Sequence, residues 1–314
     1  FGNGEILVTY DADECLVRAG GGVRFERGPV AIDFETGDIE WEGVPQPDFE
    51  SCHLGCNHHA IDFFTHPDTG KMAYAVLTNS EEGSVISVID YDTKVEMLRI
   101  NPVNLPAENE AWAGKGNHVQ VIPERGWITY NGRLNGPAID SHEPGSGWLY
   151  IMDLRTGEPI MAFGDPSLPE NIAEFEAAGV PIFEMEGDHS DPWPIGSHGP
   201  LIEVIDENTL RLMVHDNGNE ERGFTRTMVY ELDLITKKAR IVFEYEGDVL
   251  FETWGNAVPA FDDQYVLANW AAPSEGFMTI RDWDGELHWK MDYEEGYDLA
   301  TYHVEIIDPI VEQL

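Results

Sequence analysis

The chain has 314 residues, with 59 acidic against 18 basic side chains and a formal net charge of −41. That balance argues against nucleic acid and against an anionic membrane as partners, since both are bound through clustered Lys and Arg. The only lysines are Lys71, Lys94, Lys115, Lys237, Lys238 and Lys290, and the acidic excess runs the whole length. This is the surface of a protein adapted to high salt, in a halophile's cytoplasm, or of an acidic periplasmic or secreted protein.

In chain order, residues 1–46 hold strand candidates at 5–10, 30–34 and 39–41, with 15–18 extending the first hairpin. Residues 57–102 form a second unit, and an irregular stretch over 103–115 leads to a third at 116–165. An insertion follows over about 166–195: its start, 167–179, reads as a short helix with Pro and Glu early and Gly at the end. It is either a lid or site wall, or a surface excursion. Residues 195–246 read as a complete four-stranded unit, with strands at 197–204, 210–214, 227–232 and 240–245. Residues 254–296 form another, and 301–309 is a first strand with nothing after it.

Two internal repeats bind these units together. A turn beginning with Asp recurs as DFETGDIEW from Asp33, DYDTKVEML from Asp90, DLRTGEPIM from Asp153, DLITKKARI from Asp233 and DWDGELHW from Asp282. Asp bonds its own following backbone, and Gly or Lys stands where φ can be positive. A second motif opens each unit: CNHHAIDFF from Cys56, GNHVQVIPE from Gly116, GSHGPLIEV from Gly196, WGNAVPAFD from Trp254 and TYHVEIIDP from Thr301. The expected fold is therefore an all-β propeller of five four-stranded blades, or six if two have been merged, in one domain over 1–314. The last strand is expected to close the ring by joining the three N-terminal strands, which removes free edges.

First strands of propeller blades line the central channel. On that arrangement His59, His118, His198, Asn256 and His303 point toward one axis. Three strand ends add polar groups: YNGR (Tyr130 to Arg133), HDNGN (His215 to Asn219, with Arg222 and Arg226 after it) and ANW (Ala268 to Trp270). A guanidinium beside histidines suits a tetrahedral anion, and His can act as nucleophile or as acid and base. A ring of His without Arg would instead suggest a divalent transition metal on His59, His118, His198 and His303. In HDNGN, Asn217 and Gly218 read mainly as tight-turn residues. Cys52 and Cys56 either close a small loop or, with His53, His58 and His59, form a metal-like cluster. There is no GxSxG, phosphate loop, Rossmann fingerprint or HExxH.

The runs GNHVQVIPERGWITYNGR, YIMDLRTGEPIMAFGD, SHGPLIEVIDENTLRLMVHDNGN, TRTMVYELD and WGNAVP, in this order, resemble the arylsulfotransferase family. This is the PAPS-independent bacterial and fungal type, and the likeness covers about residues 57–290. The resemblance implies a propeller enzyme, without cofactor, that moves a sulfuryl group from an aryl sulfate to a phenol through a sulfated histidine. It implies His198 as nucleophile, His118 and Arg133 as ligands of the sulfuryl oxygens, and His59 as a further active-site histidine. His303, Asn256, Arg222 and Trp270 are then expected to bind a small aromatic substrate. The chain departs from the family at Gln120, where Asn is usual, and at Val214 and His215, where Phe precedes Asp216. The alternatives are a metal-dependent lyase, hydrolase or oxygenase on the His ring, and a propeller that only binds.

Overall fold

The structure, a computed structural model, describes residues 5–8, 30–33, 39–42, 57–80, 83–107, 116–132, 148–167, 169–219, 222–251, 255–272 and 275–292. Outside the described residues lie the hairpin extension at 15–18, Cys52 and Cys56, Arg133, and the closing strand over 301–309 with His303. Of His59 the backbone alone is described.

The described fold is all-β, with a single α-helix. Strands β1 (Glu5–Val8), β2 (Val30–Asp33) and β3 (Ile39–Glu42) form one sheet. The second sheet is β4 (Asn57–Thr65), β5 (Met72–Ser80), β6 (Gly83–Asp90) and β7 (Glu96–Ile100), and the third is β8 (Gly116–Ile122), β9 (Trp127–Gly132), β10 (Leu149–Asp153) and β11 (Pro159–Phe163). The fourth runs β13 (Ser197–Val204), β14 (Thr209–Asp216), β15 (Arg226–Asp233) and β16 (Lys238–Glu246), with the short β12 (Glu184–Met185) added outside β16. The fifth is β17 (Asn256–Ala260), β18 (Tyr265–Ala272), β19 (Glu275–Asp282) and β20 (Leu287–Asp292). The second to fifth sheets are antiparallel meanders of four strands, apart from the parallel β12.

The Asp turns fold as their side chains dictate. Asp90 Oδ1 accepts from Thr93 N at 2.7 Å, Asp153 Oδ1 from Thr156 N at 3.0 Å, Asp233 Oδ1 from Thr236 N at 2.9 Å and Asp282 Oδ1 from Glu286 N at 2.9 Å. The left-handed residue comes at one place in each: Lys94 (φ 60°), Gly157 (φ 75°), Lys237 (φ 55°) and Gly285 (φ 85°). In all four its N–H returns to the Asp carbonyl at 2.8–3.0 Å. Local chemistry thus turns the third strand of each sheet back along the fourth.

The chain divides into two compact units, Phe1–Gly132 with Leu149–Ile160, and Arg133–Trp148 with Met161–Leu314. In the first, β4 lies against β8, and Asp62 of β4 accepts from Val121 N of β8 at 2.5 Å. Tyr74, Val76 and Ile89 pack with Ile61 and Phe63 inside it. In the second, β13 lies against β17, and Met213, Val229, Phe243, Ala257 and Val266 join the fourth sheet to the fifth. Each fully buried Val, Ile, Phe or Met side chain among them is worth about 1.5–3 kcal/mol.

The insertion forms its expected helix, α1 (Pro169–Ala178), closed by Gly179 at φ 69°. Phe175 seats it on Trp148, ring centroids 4.5 Å apart. After it the chain is tied on both sides: Phe183 N donates to Ala162 O and Glu184 N to Lys237 O. The insertion is therefore a packed outer strap, and its last residues, 191–195, reach the end of β14 described next.

Candidate functional site around His198

The histidine-phase motif carries a feature that the sequence hid: a break in register. Pairing slips between His58 and Ala60 in β4, between Gly116 and His118 in β8, and between His198 and Leu201 in β13. In β17, where Asn256 replaces His, the register is continuous. A β-bulge bends a strand and re-aims a side chain, and bulges gather beside functional sites. The small residues flanking the histidines, Gly116, Gly196 and Gly199, were the available signal.

His198 is the best defined of the predicted residues. It is 1% exposed and stands at the start of β13, paired with His215 of β14. Its Nδ1 meets Oδ1 of Asn217, and Asn217 Nδ2 donates to Phe251 O at 2.7 Å. Asn217, expected as a turn residue only, is therefore also a buried partner of the histidine. Gly218 keeps the turn role: it has φ 77°, and its N–H donates to Ile195 O at 2.9 Å. Asn256 is packed against Gly199, the residue after His198: a Cβ on Gly199 would lie 2.7 Å from Asn256 Cβ.

Two predicted substrate-binding residues turn out to be committed elsewhere. Arg222 pairs both terminal guanidinium nitrogens with Asp216, Nη1 to Oδ2 at 2.5 Å and Nη2 to Oδ1 at 2.9 Å. Arg226 Nε reaches the same Asp216 Oδ2 at 2.8 Å, and its other nitrogens hold Glu244 and Trp193 O. A chelated guanidinium with a buried carboxylate has little capacity left for a second anion. Trp270 is 0% exposed, donates to Thr279 Oγ1 at 3.0 Å and stacks on Phe277. It lies inside β18 rather than at its end, so it is core between the fourth and fifth sheets.

His215, expected as a polar group at a strand end, is instead enclosed in the core. It is 0% exposed, and neither ring nitrogen has a hydrogen-bond partner. Trp270 stands edge-on to it at 5.2 Å. Burial holds its pKa down, to about 4, against a weaker opposing pull from Asp216. The ring fits only because residue 255 is glycine: at φ 110°, an added Cβ would lie 2.5 Å from His215 Nε2 and 2.6 Å from Asn269 O. Gly255→Ala is accordingly expected to cost about 1–3 kcal/mol, read as a lowered urea midpoint, whereas an unchanged midpoint would show that the ring is not wedged there.

Asn117 and His118 stand in succession at the start of β8, with Asn117 buried and His118 half-buried. His59 and His118 belong to the first unit, His198 and Asn256 to the second. Among the described residues, the cluster with donor atoms within 4.8 Å of one another is Asp282, Glu286 and His288, on the β19–β20 turn. There His288 Nε2 already bonds Asp282 Oδ2 at 2.9 Å.

No family model matches the chain, and no curated protein matches it. Similar solved structures include the propeller of Dos1, at 10% identity with a TM-score of 0.39, covering 84% of this chain and 47% of that one. A chain of ctPRC2 is similar at 10% identity with a TM-score of 0.42, covering 87% of this chain and 47% of that one. The chain thus spans about half the length of either.

Proposed function

We propose that the chain is a β-propeller enzyme of arylsulfotransferase type, with the five sheets as its blades and the segment at 301–309 closing the ring. His198 takes a sulfuryl group from an aryl sulfate and gives it to a phenol. The main support is a fully buried histidine at a bulged strand start, anchored through Nδ1. Anchoring one ring nitrogen assigns the chemistry to the other.

In the first half-reaction Nε2 attacks sulfur. The N–S bond forms, the bond from sulfur to the aryl oxygen breaks, and its electron pair leaves on the phenolate. In the second, an acceptor phenol attacks sulfur, its proton passes to solvent, and the N–S bond returns its pair to Nε2. His118, His59 and Arg133 are assigned by resemblance to the sulfuryl oxygens, where donors would stabilise developing charge. Arg222 and Arg226 act elsewhere: they neutralise Asp216, so that its charge is shielded from the histidine on the neighbouring strand. The substrates are small aromatic molecules. High-salt adaptation accounts for the charge of −41.

Release of 4-nitrophenol from its sulfate ester by the purified protein in high salt is expected to rise when a second phenol is added. His198→Ala should abolish it. Metal that survives dialysis at one per chain, with turnover lost on its removal, would instead favour the ring of His59, His118, His198 and His303 as a metal centre.

A further inference from the structure

We propose that Asn217 is the positioning residue of this site: its side-chain amide fixes which nitrogen of His198 carries the proton. This rests on His198 being the reacting histidine. Phe251 sets the sense of the amide. A backbone carbonyl can only accept, and Phe251 O lies 2.7 Å from Asn217 Nδ2, so this end of the amide is the NH₂ group. The oxygen Oδ1 therefore faces His198 Nδ1. An amide oxygen also only accepts, so Nδ1 bears the hydrogen. In the neutral imidazole the lone pair then resides on Nε2.

The amide is held in that sense from several sides. Asn217 is 0% exposed. Thr225 Oγ1 donates to Asn217 O at 2.8 Å and accepts from Phe251 N at 2.6 Å, so one hydroxyl ties the backbones of both residues. A half-turn of the amide would set Oδ1 against the Phe251 carbonyl, acceptor facing acceptor, in a buried place where an unmade hydrogen bond is costly.

The choice of amide over carboxylate has a chemical consequence. A carboxylate at this position would favour the imidazolium and raise the pH at which His198 loses its proton. A neutral acceptor orients the ring without charging it. The histidine can then attack as a neutral base and later leave its sulfuryl group readily.

The test is nitrogen NMR on protein labelled with ¹⁵N-histidine, with the His198 signals assigned by their loss in His198→Gln. Above the titration of the ring, Nδ1 is expected to give a protonated, pyrrole-type signal and Nε2 an unprotonated, pyridine-type one. The reverse assignment in the unmodified protein would overturn the proposal, and needs no variant at Asn217. Asn217→Asp is expected to keep the tautomer and to move the acid limb of the rate profile to higher pH. Asn217→Leu is expected to mix the two tautomers and to slow single-turnover sulfuryl uptake about 100-fold. Retention of the single tautomer in Asn217→Leu would also overturn it. If the tautomer is as stated and no sulfuryl transfer occurs, the assignment of Asn217 stands and the sulfotransferase reading fails.

Discussion

Asp216→Asn is expected to cost about 3–5 kcal/mol of folding free energy, read as a large drop in the urea midpoint at fixed salt. Asp216 is 0% exposed and receives five donors: two from Arg222, one from Arg226, and the N–H groups of Ile195 and Gly218. The amide would carry no charge, leaving two nearly buried guanidinium groups, 7% and 3% exposed, without their central counter-ion. It would also turn a donor toward donors. The effect should reach function, because Ile195 and Gly218 flank the strand that carries His198 and the turn that carries Asn217. Asp191 offers the contrast. It meets the same two arginines at 3.7 and 3.4 Å but is 44% exposed, so Asp191→Asn is expected to cost under about 1 kcal/mol. Equal losses from the two variants would show that the buried carboxylate is not the hub.

Acid should destabilise the protein through His215. Its folded pKa, about 4, lies below the ordinary 6.5. The unfolded chain therefore binds a proton first as pH falls. Stability from keeping the ring neutral is complete above pH 6.5 and declines by about 1.4 kcal/mol per pH unit down to about pH 4, roughly 3 kcal/mol in all. Many carboxylates titrate in the lower part of that window, so the measurement is a difference. His215→Phe, apolar and of similar breadth, should remove this component and leave the rest. Variant stability minus wild-type stability in urea unfolding is expected to be flat above pH 6.5 and to shift steadily in the variant's favour from there to about pH 4. A constant gap would mean that the ring is charged, or hydrated, in the folded state. Trp270, edge-on at 5.2 Å, supplies a second probe, since a protonated imidazole beside it would quench its emission.

What the sequence makes legible is the part governed by local chemistry. The strand expected at 197–204 is β13 itself, and that at 227–232 differs from β15 by one residue at each end. The Asp turns are readable because a side chain bonding its own following backbone needs no distant partner. What the sequence hides is tertiary. Asp-Asn-Gly is turn chemistry wherever it occurs, and nothing local says that Asn217 also spans to a histidine 19 residues before it and a carbonyl 34 residues after it. Arg222 looks available in a chain poor in cations, but Asp216 lies six residues away and faces the same way. Trp270 reads as a strand end; β18 runs on to Ala272, and that continuation places the indole between sheets. His215 reads as a polar group at a strand end; β14 runs on through it to Asp216, and that continuation buries the ring.

The proposed reaction requires a sulfated His198 as a covalent intermediate, so trapping it is the decisive measurement. The protein is mixed with excess aryl sulfate in high salt without an acceptor, quenched in alkali and weighed intact. The expected result is a gain of one sulfuryl group, mapping to the peptide that holds His198, lost on adding phenol and absent from His198→Ala. Donor turnover with no modified chain, or a sulfuryl group found on another residue, would contradict a reaction through His198.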